Sequence, residues 1–184
     1  MMISFISGGA RSGKSQFAEK LAVSAFHERK SRSEKVSLYY VATSKRSDAE
    51  MKERIRIHQQ MRIVDWETIE EPYDFSLFLS TCTKQDVLLV DCVTIWLNNV
   101  MFNQKWGIHK IEETVDRWIK IIKEKELYVI FVSNDVNEEL PHYFSREVLQ
   151  YVWTLQHVHK RLVTQAEQVI QVTAGLPIFW KGEA

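Results

Sequence analysis

Gly8-Gly9-Ala10-Arg11-Ser12-Gly13-Lys14-Ser15 is the stretch on which the reading of this chain turns. It follows a short apolar run, Ile3–Ile6, and opens a helical pattern at Ser15. All eight residues fit G-x-x-x-x-G-K-[ST], in the strand–turn–helix setting that a phosphate-binding loop requires. Small residues let consecutive backbone N–H groups turn inward around an anion. The helix start adds unpaired donors and the positive end of its dipole. Lys14 is of the right length to reach terminal phosphates, and the Ser15 hydroxyl is a ligand for Mg²⁺. The chain has 6 glycines, and Gly8, Gly9 and Gly13 all fall in this one turn. Unusual backbone is therefore concentrated there.

Working outward, short β-branched or aromatic runs recur at Met2–Ser7, Val36–Ala42, Val87–Val90, Leu127–Val132 and Val169–Thr173, with Pro177–Trp180 as a candidate edge strand. Such runs read as buried parallel strands. Helical patterns lie between them. Ser15–Phe26 places Phe17, Leu21 and Ser24 or Ala25 on one stripe, and His27–Lys35 then reads as a charged loop. Asp48–Arg62, Tyr73–Cys82, Val93–Asn103, Ile108–Lys125 and Arg146–Gln168 complete the set, with Trp118, Ile121 and Ile122 as the core face of the fifth helix. The alternation predicts an α/β fold with a mostly parallel central sheet flanked by helices, joined by right-handed crossovers. Ligands in such sheets bind at the carboxyl ends of the strands. At 184 residues the chain, 1–184, is a single domain.

Composition narrows the partners. Lys+Arg and Asp+Glu are both 24, so the formal charge is +0. Binding to nucleic acid or an acidic membrane by bulk charge is not expected. Hydrophobic residues at 45% suit a globular chain. No apolar run approaches the roughly 20 residues that span a bilayer. The start, Met1 to Ser7, lacks a basic flank, so no signal peptide is expected there. Cys82 and Cys92 form no C-x-x-C pair, which fits a reducing, cytoplasmic setting.

A phosphate loop needs an acid on a neighbouring strand. Val87-Leu88-Leu89-Val90-Asp91 supplies one at the end of an apolar run, where Asp91 joins Ser15 as a candidate ligand for Mg²⁺ or its water. Among the histidines, His27, His109, His142, His157 and His159 sit between polar residues and read as solvated surface. His58 differs. Residues four apart share a helix face, so Arg54, His58 and Arg62 form one stripe. Flanking guanidiniums disfavour the imidazolium, and neutral imidazole is a nucleophile. On spacing alone, an ordinary basic helix face is the better account of that stripe. On the phosphate loop alone, two readings stay open. One is a small-molecule or nucleoside kinase using Lys14, Ser15 and Asp91; the other is a nucleotide-binding regulatory module without chemistry.

Several motifs occur in a fixed order. The phosphate loop is followed by Ala18-Glu19, then by Tyr40-Val41-Ala42-Thr43-Ser44. Next come Asp48-x-Glu50-Met51 with Arg54-Ile55, His58 and Arg62, and Trp66-x-Thr68-x-Glu70. Val90-Asp91-Cys92-x-Thr94-x-Trp96-Leu97-x-Asn99 and Val132-Ser133-Asn134 close the series. Together they resemble the bifunctional adenosylcobinamide kinase / adenosylcobinamide-phosphate guanylyltransferase family of cobalamin biosynthesis. The resemblance implies a RecA-like P-loop NTPase fold, a homotrimer, ATP and GTP as substrates with Mg²⁺, and the corrinoid adenosylcobinamide as acceptor. It implies His58 as a guanylylated nucleophile, with Arg54, Arg62 and Lys14 balancing charge at the phosphates. The nucleotide site would comprise Gly8, Gly9, Ala10, Arg11, Ser12, Gly13, Lys14 and Ser15, together with Ala42, Thr43, Ser44, Gln59, Gln60, Met61, Arg62, Glu70 and Asp91. Glu70 and Asp91 both carry a carboxylate suited to guanine N1–H and N2–H, so Asp91 is a candidate for metal or base. After Asn134 the chain departs from the family pattern N-E-V-G-x-G-x-V-P. Asn134-Asp135-Val136-Asn137-Glu138-Glu139-Leu140-Pro141 lacks both glycines. Further on, Tyr151-Val152-Trp153, Gln156, His159 and Lys160 stand where the family has F-R-D and G-x-x-N-Q.

Overall fold

A computed structural model describes residues 2–44, 65–136 and 145–183. Its elements run β1 (Met2–Gly8), α1 (Lys14–Lys30), β2 (Leu38–Ala42), β3 (Glu67–Glu70), α2 (Ser76–Thr81), β4 (Val87–Asp91) and α3 (Val93–Asn98). A π-helical turn (Asn99–Asn103) continues α3, and α4 (Ile108–Glu124), β5 (Tyr128–Asn134), α5 (Arg146–Gln165), β6 (Gln168–Thr173) and β7 (Leu176–Lys181) follow. The seven strands form one sheet in the order β3-β2-β4-β5-β1-β6-β7. Pairings from β3 through β6 are parallel, and only the β6–β7 hairpin is antiparallel. This is the predicted α/β architecture. β5 separates the strand carrying the phosphate turn from the strand carrying Asp91.

Both faces of the sheet are covered, as the continuous apolar strands require. Alternation sorts their side chains. Ile3, Phe5, Leu88, Val90, Val129 and Phe131 face a core shared with α2 to α5. Ile6, Val87, Leu89, Tyr128, Ile130 and Val132 face α1. Aromatic rings fill the first core. Phe75 stacks on Trp118 with centroids 3.9 Å apart, and Trp96 meets Trp118 edge-on at 4.6 Å. The Trp96 indole N–H donates to the Tyr73 carbonyl. The Asp74 carboxylate accepts from the Ser76 N–H and hydroxyl at the start of α2 and from the Trp118 indole at 3.0 Å.

The structure corrects several sequence expectations. α1 does not stop at Phe26. The charged residues from His27 to Lys30 form its last turn, with Arg29 donating to Lys84 O and lying over the Tyr128 ring, and the loop begins at Ser31. Its buried stripe is Ala18, Ala22 and Phe26 rather than Phe17, Leu21 and Ala25. Alanines let the helix lie close on the sheet, and the larger side chains pack around that contact. On α4, Ile119 rather than Ile121 joins Trp118 and Ile122 in the core. α2 is shorter than Tyr73–Cys82: Asp74 stands before its N-cap Phe75 and accepts from Ser76 N–H at 3.0 Å, and Cys82 turns extended. α5 ends at Gln165 because Ala166 turns extended to feed β6. β3 was not among the predicted strands. The expected helix Asp48–Arg62 lies outside the described residues.

Candidate functional site

β1 ends at Gly8 in the middle of the sheet, and the chain turns over its carboxyl edge into α1. Arg11 and Gly13 take left-handed backbone, with φ of 58° and 90°. Ser12 N–H donates to Gly9 O at 3.2 Å, and Phe17 N–H to Gly13 O at 3.0 Å. The first turn of α1 has no side-chain cap. Those two features give the concave ring of main-chain donors that an anion requires. Lys14 is buried, and its Nζ bridges the turn to Gly9 O at 3.0 Å. Ser12 Oγ is buried without a hydrogen-bond partner among the described residues.

The turn is braced from outside. The hairpin between β6 and β7 places Gly175 against it, and Gly175 N–H donates to Ser12 O at 2.8 Å. A Cβ on Gly13 would meet Gly175 Cα at 3.3 Å, and one on Gly8 would meet Val172 O at 2.4 Å. Glycine at position 8 is demanded by the neighbouring strand.

Other predicted site residues gather on the same edge. Register pairs Ala42 with both Asp91 and Glu70, and Gly8 with Asn134. Asp91 accepts a hydrogen bond from the Tyr40 hydroxyl at 2.9 Å. Thr43 and Ser44 follow directly and are buried. The Thr43 hydroxyl is turned to Cys92, donating to its carbonyl at 2.9 Å and accepting from its N–H at 2.8 Å. The Asp91–Cys92 peptide bond is cis. Burial, with the Asp91 carboxylate adding to it, pushes the Cys92 thiol up to about 11, while Lys14 acts the other way. The lysine of one motif and the acid of the other thus lie within electrostatic reach of one thiol, which stays protonated and is no nucleophile. His58, Arg54, Arg62, Gln59, Gln60 and Met61 lie outside the described residues.

Ser15 and Asp91 carry the hard oxygen donors that Mg²⁺ takes. Among the described residues no group of three or more His, Cys, Asp or Glu is gathered for a metal. A cation here would complete its shell from phosphates and water, the usual arrangement for Mg²⁺ in phosphoryl transfer.

His159 is a second correction. Rather than standing in solvent, it lies under α5 with its ring edge-on to Phe5 at 5.0 Å. Its Nε2 is 2.7 Å from Ser133 Oγ. Burial lowers its pKa to about 4, against an opposing pull from Asp135, so the ring is neutral. Of the remaining histidines described, His27 is exposed; His109 is exposed beside Glu113, and His157 lies 3.4 Å from Glu112. Three residues tied to this edge were quoted in motifs but given no role from sequence: Tyr40, Thr94 and Asn99. Thr94 Oγ1 accepts from Asn134 N at 3.2 Å.

The family described as cobinamide kinase / cobinamide phosphate guanyltransferase matches residues 4–179. The bifunctional adenosylcobalamin biosynthesis protein CobP of Pseudomonas aeruginosa is 32% identical over 186 aligned residues, covering 99% of each chain. The bifunctional adenosylcobalamin biosynthesis proteins CobU of Salmonella typhimurium and Escherichia coli are 28% and 27% identical, each covering 96% of this chain and 98% of the relative.

Proposed function

Because the chain belongs to the cobinamide kinase / cobinamide phosphate guanyltransferase family, we propose that this transferase carries out both reactions on adenosylcobinamide in cobalamin biosynthesis. The observation that carries the reading is the phosphate turn Gly8–Ser15 on the sheet edge it shares with Ala42, Glu70 and Asp91.

In the first reaction, a hydroxyl oxygen of adenosylcobinamide attacks the γ-phosphorus of ATP or GTP. The bond from that phosphorus to the β-phosphate oxygen breaks, the hydroxyl proton is lost, and a nucleoside diphosphate leaves. Main-chain donors of the turn hold the phosphates, and Lys14 balances charge on the transferred group. Ser15 and Asp91 would hold Mg²⁺, which would supply further neutralisation of the phosphate oxygens.

In the second reaction, a ring nitrogen of His58 attacks the α-phosphorus of GTP and pyrophosphate leaves. An oxygen of adenosylcobinamide phosphate then attacks the same phosphorus, the N–P bond breaks, and adenosylcobinamide-GDP is released. Double displacement suits imidazole, which both attacks and leaves near neutral pH. Arg54 and Arg62 flank His58 in sequence at helical spacing and would hold the phosphate oxygens. Glu70 ends β3 one strand from Ala42, so we assign guanine recognition to Glu70 and leave Asp91 to the metal. A homotrimer acting in the cytoplasm completes the proposal; no helix among the described residues is long and apolar enough to cross a membrane.

Incubation with α-labelled GTP and Mg²⁺ tests the second reaction. The expected result is an acid-labile, base-stable GMP adduct on His58, absent from His58→Ala. Equal labelling of both proteins, or none of the wild type, would overturn the histidine step. Labelling with no turnover of adenosylcobinamide would overturn the kinase step alone.

A further inference from the structure

The strands of the nucleotide edge stop pairing at Ala42, Glu70 and Asp91. Beyond those residues the backbone still needs hydrogen-bond partners, because Thr43 is fully buried. Thr43 N–H donates to Asp91 O at 3.2 Å and Glu71 N–H to Ala42 O at 3.0 Å, and the Thr43 carbonyl is met by one side chain. Asn99 is 5% exposed and opens the π-helical turn after α3. Its Nδ2 donates to Thr43 O at 2.8 Å and, in a longer contact, to Pro72 O at 3.5 Å. Its Oδ1 accepts from Asn103 Nδ2 at 3.2 Å, which fixes the direction in which the amide faces. Both amide hydrogens are thus directed at carbonyls just past β2 and β3. Thr43 passes the restraint on, since its hydroxyl holds both backbone groups of Cys92 just past β4.

We propose that Asn99 is the positioning residue of the nucleotide rim. It sets Thr43 and, through Thr43, the backbone beside Asp91. It acts through these groups without touching the nucleotide. The position requires a two-fold donor that is also an acceptor, which among side chains of this size only a carboxamide provides. The widened turn of a π-helix brings that amide over the ends of two strands at once. The inference rests on the nucleotide reading above, because the rim it orders is the predicted site.

The test measures binding of a fluorescent GTP analogue, steady-state kinetics and thermal unfolding on the full chain. For Asn99→Ala, Kd and KM for GTP rise about tenfold, the scale of a buried carbonyl left unpaired. Turnover at saturating GTP stays within about threefold, because Lys14 is held by Gly9 O independently of Asn99. Asn103 is exposed, and Asn103→Ala frees only the orientation of the amide. It weakens binding about threefold with no change in melting temperature, and it decides the matter if Asn99→Ala does not fold. Lower melting temperature with unchanged Kd and KM would overturn the proposal and leave Asn99 a packing residue. A wild type that binds no GTP analogue would overturn the nucleotide reading and this inference with it. Normal wild-type binding, with both variants matching it, overturns this inference alone.

Discussion

Replacing Gly8 by Ala tests whether the phosphate turn is held by the strand beside it. An added Cβ would stand 2.4 Å from Val172 O and 2.5 Å from Ser12 Oγ. Comfortable carbon–oxygen contact begins near about 3.3 Å, so roughly 0.9 Å must be found on the Val172 side. Ser12 can rotate its hydroxyl away. Val172 O cannot follow, because β6 is fixed on one side to β1 and on the other to β7. The backbone of Gly8 must move instead, and the turn moves with it. Overpacking of this kind costs about 2 kcal/mol, or about 4–8 °C in melting temperature for a domain of this length. GTP affinity should fall more than tenfold, because the ring of donors loses its spacing. Gly107→Ala is the control, since a Cβ there meets nothing within 4 Å. Its melting temperature should stay within about 2 °C of wild type. Differential scanning fluorimetry and titration with GTP read both quantities. Gly8→Ala with wild-type melting and wild-type affinity would refute the argument that the neighbouring strand dictates glycine here.

Lys14→Ala should lower phosphoryl transfer at least about 100-fold, the usual loss when one preorganised counter-charge is removed. Circular dichroism and a coupled assay for nucleoside diphosphate release would check it, and turnover within tenfold of wild type would count against the assigned role. The buried His159 makes stability depend on acid. Its folded pKa, lowered by burial to about 4, lies below the unfolded value of about 6.5. The unfolded chain therefore binds the extra proton between those values, and stability falls as pH drops through that window. Urea unfolding between pH 4 and 7 should show a wild-type loss about 2 kcal/mol larger than that of His159→Gln; parallel pH profiles would refute it.

The phosphate turn was readable because its motif is dense and its flanks are unambiguous. Ile3 to Ile6 reads as a buried strand, and the glycines at 8, 9 and 13 leave the loop few alternatives. Asp91 was readable for the same reason, as the polar end of four apolar residues. β3 was not. Glu67-Thr68-Ile69-Glu70 is a half-exposed edge strand, exists only through its pairing to β2, and offers no apolar run. His159 was misjudged from its neighbours Gln156 and Lys160. Helical spacing from Leu155 and Leu162, both buried, places it at the margin of the core stripe and was the available signal. Tyr40 and Asn99 stood in quoted motifs, but nothing local told what either would bind. Their roles come from partners 51 and 56 residues away, which periodicity cannot reach.

The order of strands also has a consequence for synthesis. β1 emerges first from the ribosome, yet its two partners are β5 and β6, and the brace on its turn comes from Gly175. A nascent chain that has released only the first four strands holds β2, β3 and β4 as a pairable set, with β1 still waiting for neighbours. The turn after β1 therefore gains its brace only once the β6–β7 hairpin, which carries Gly175, has been made.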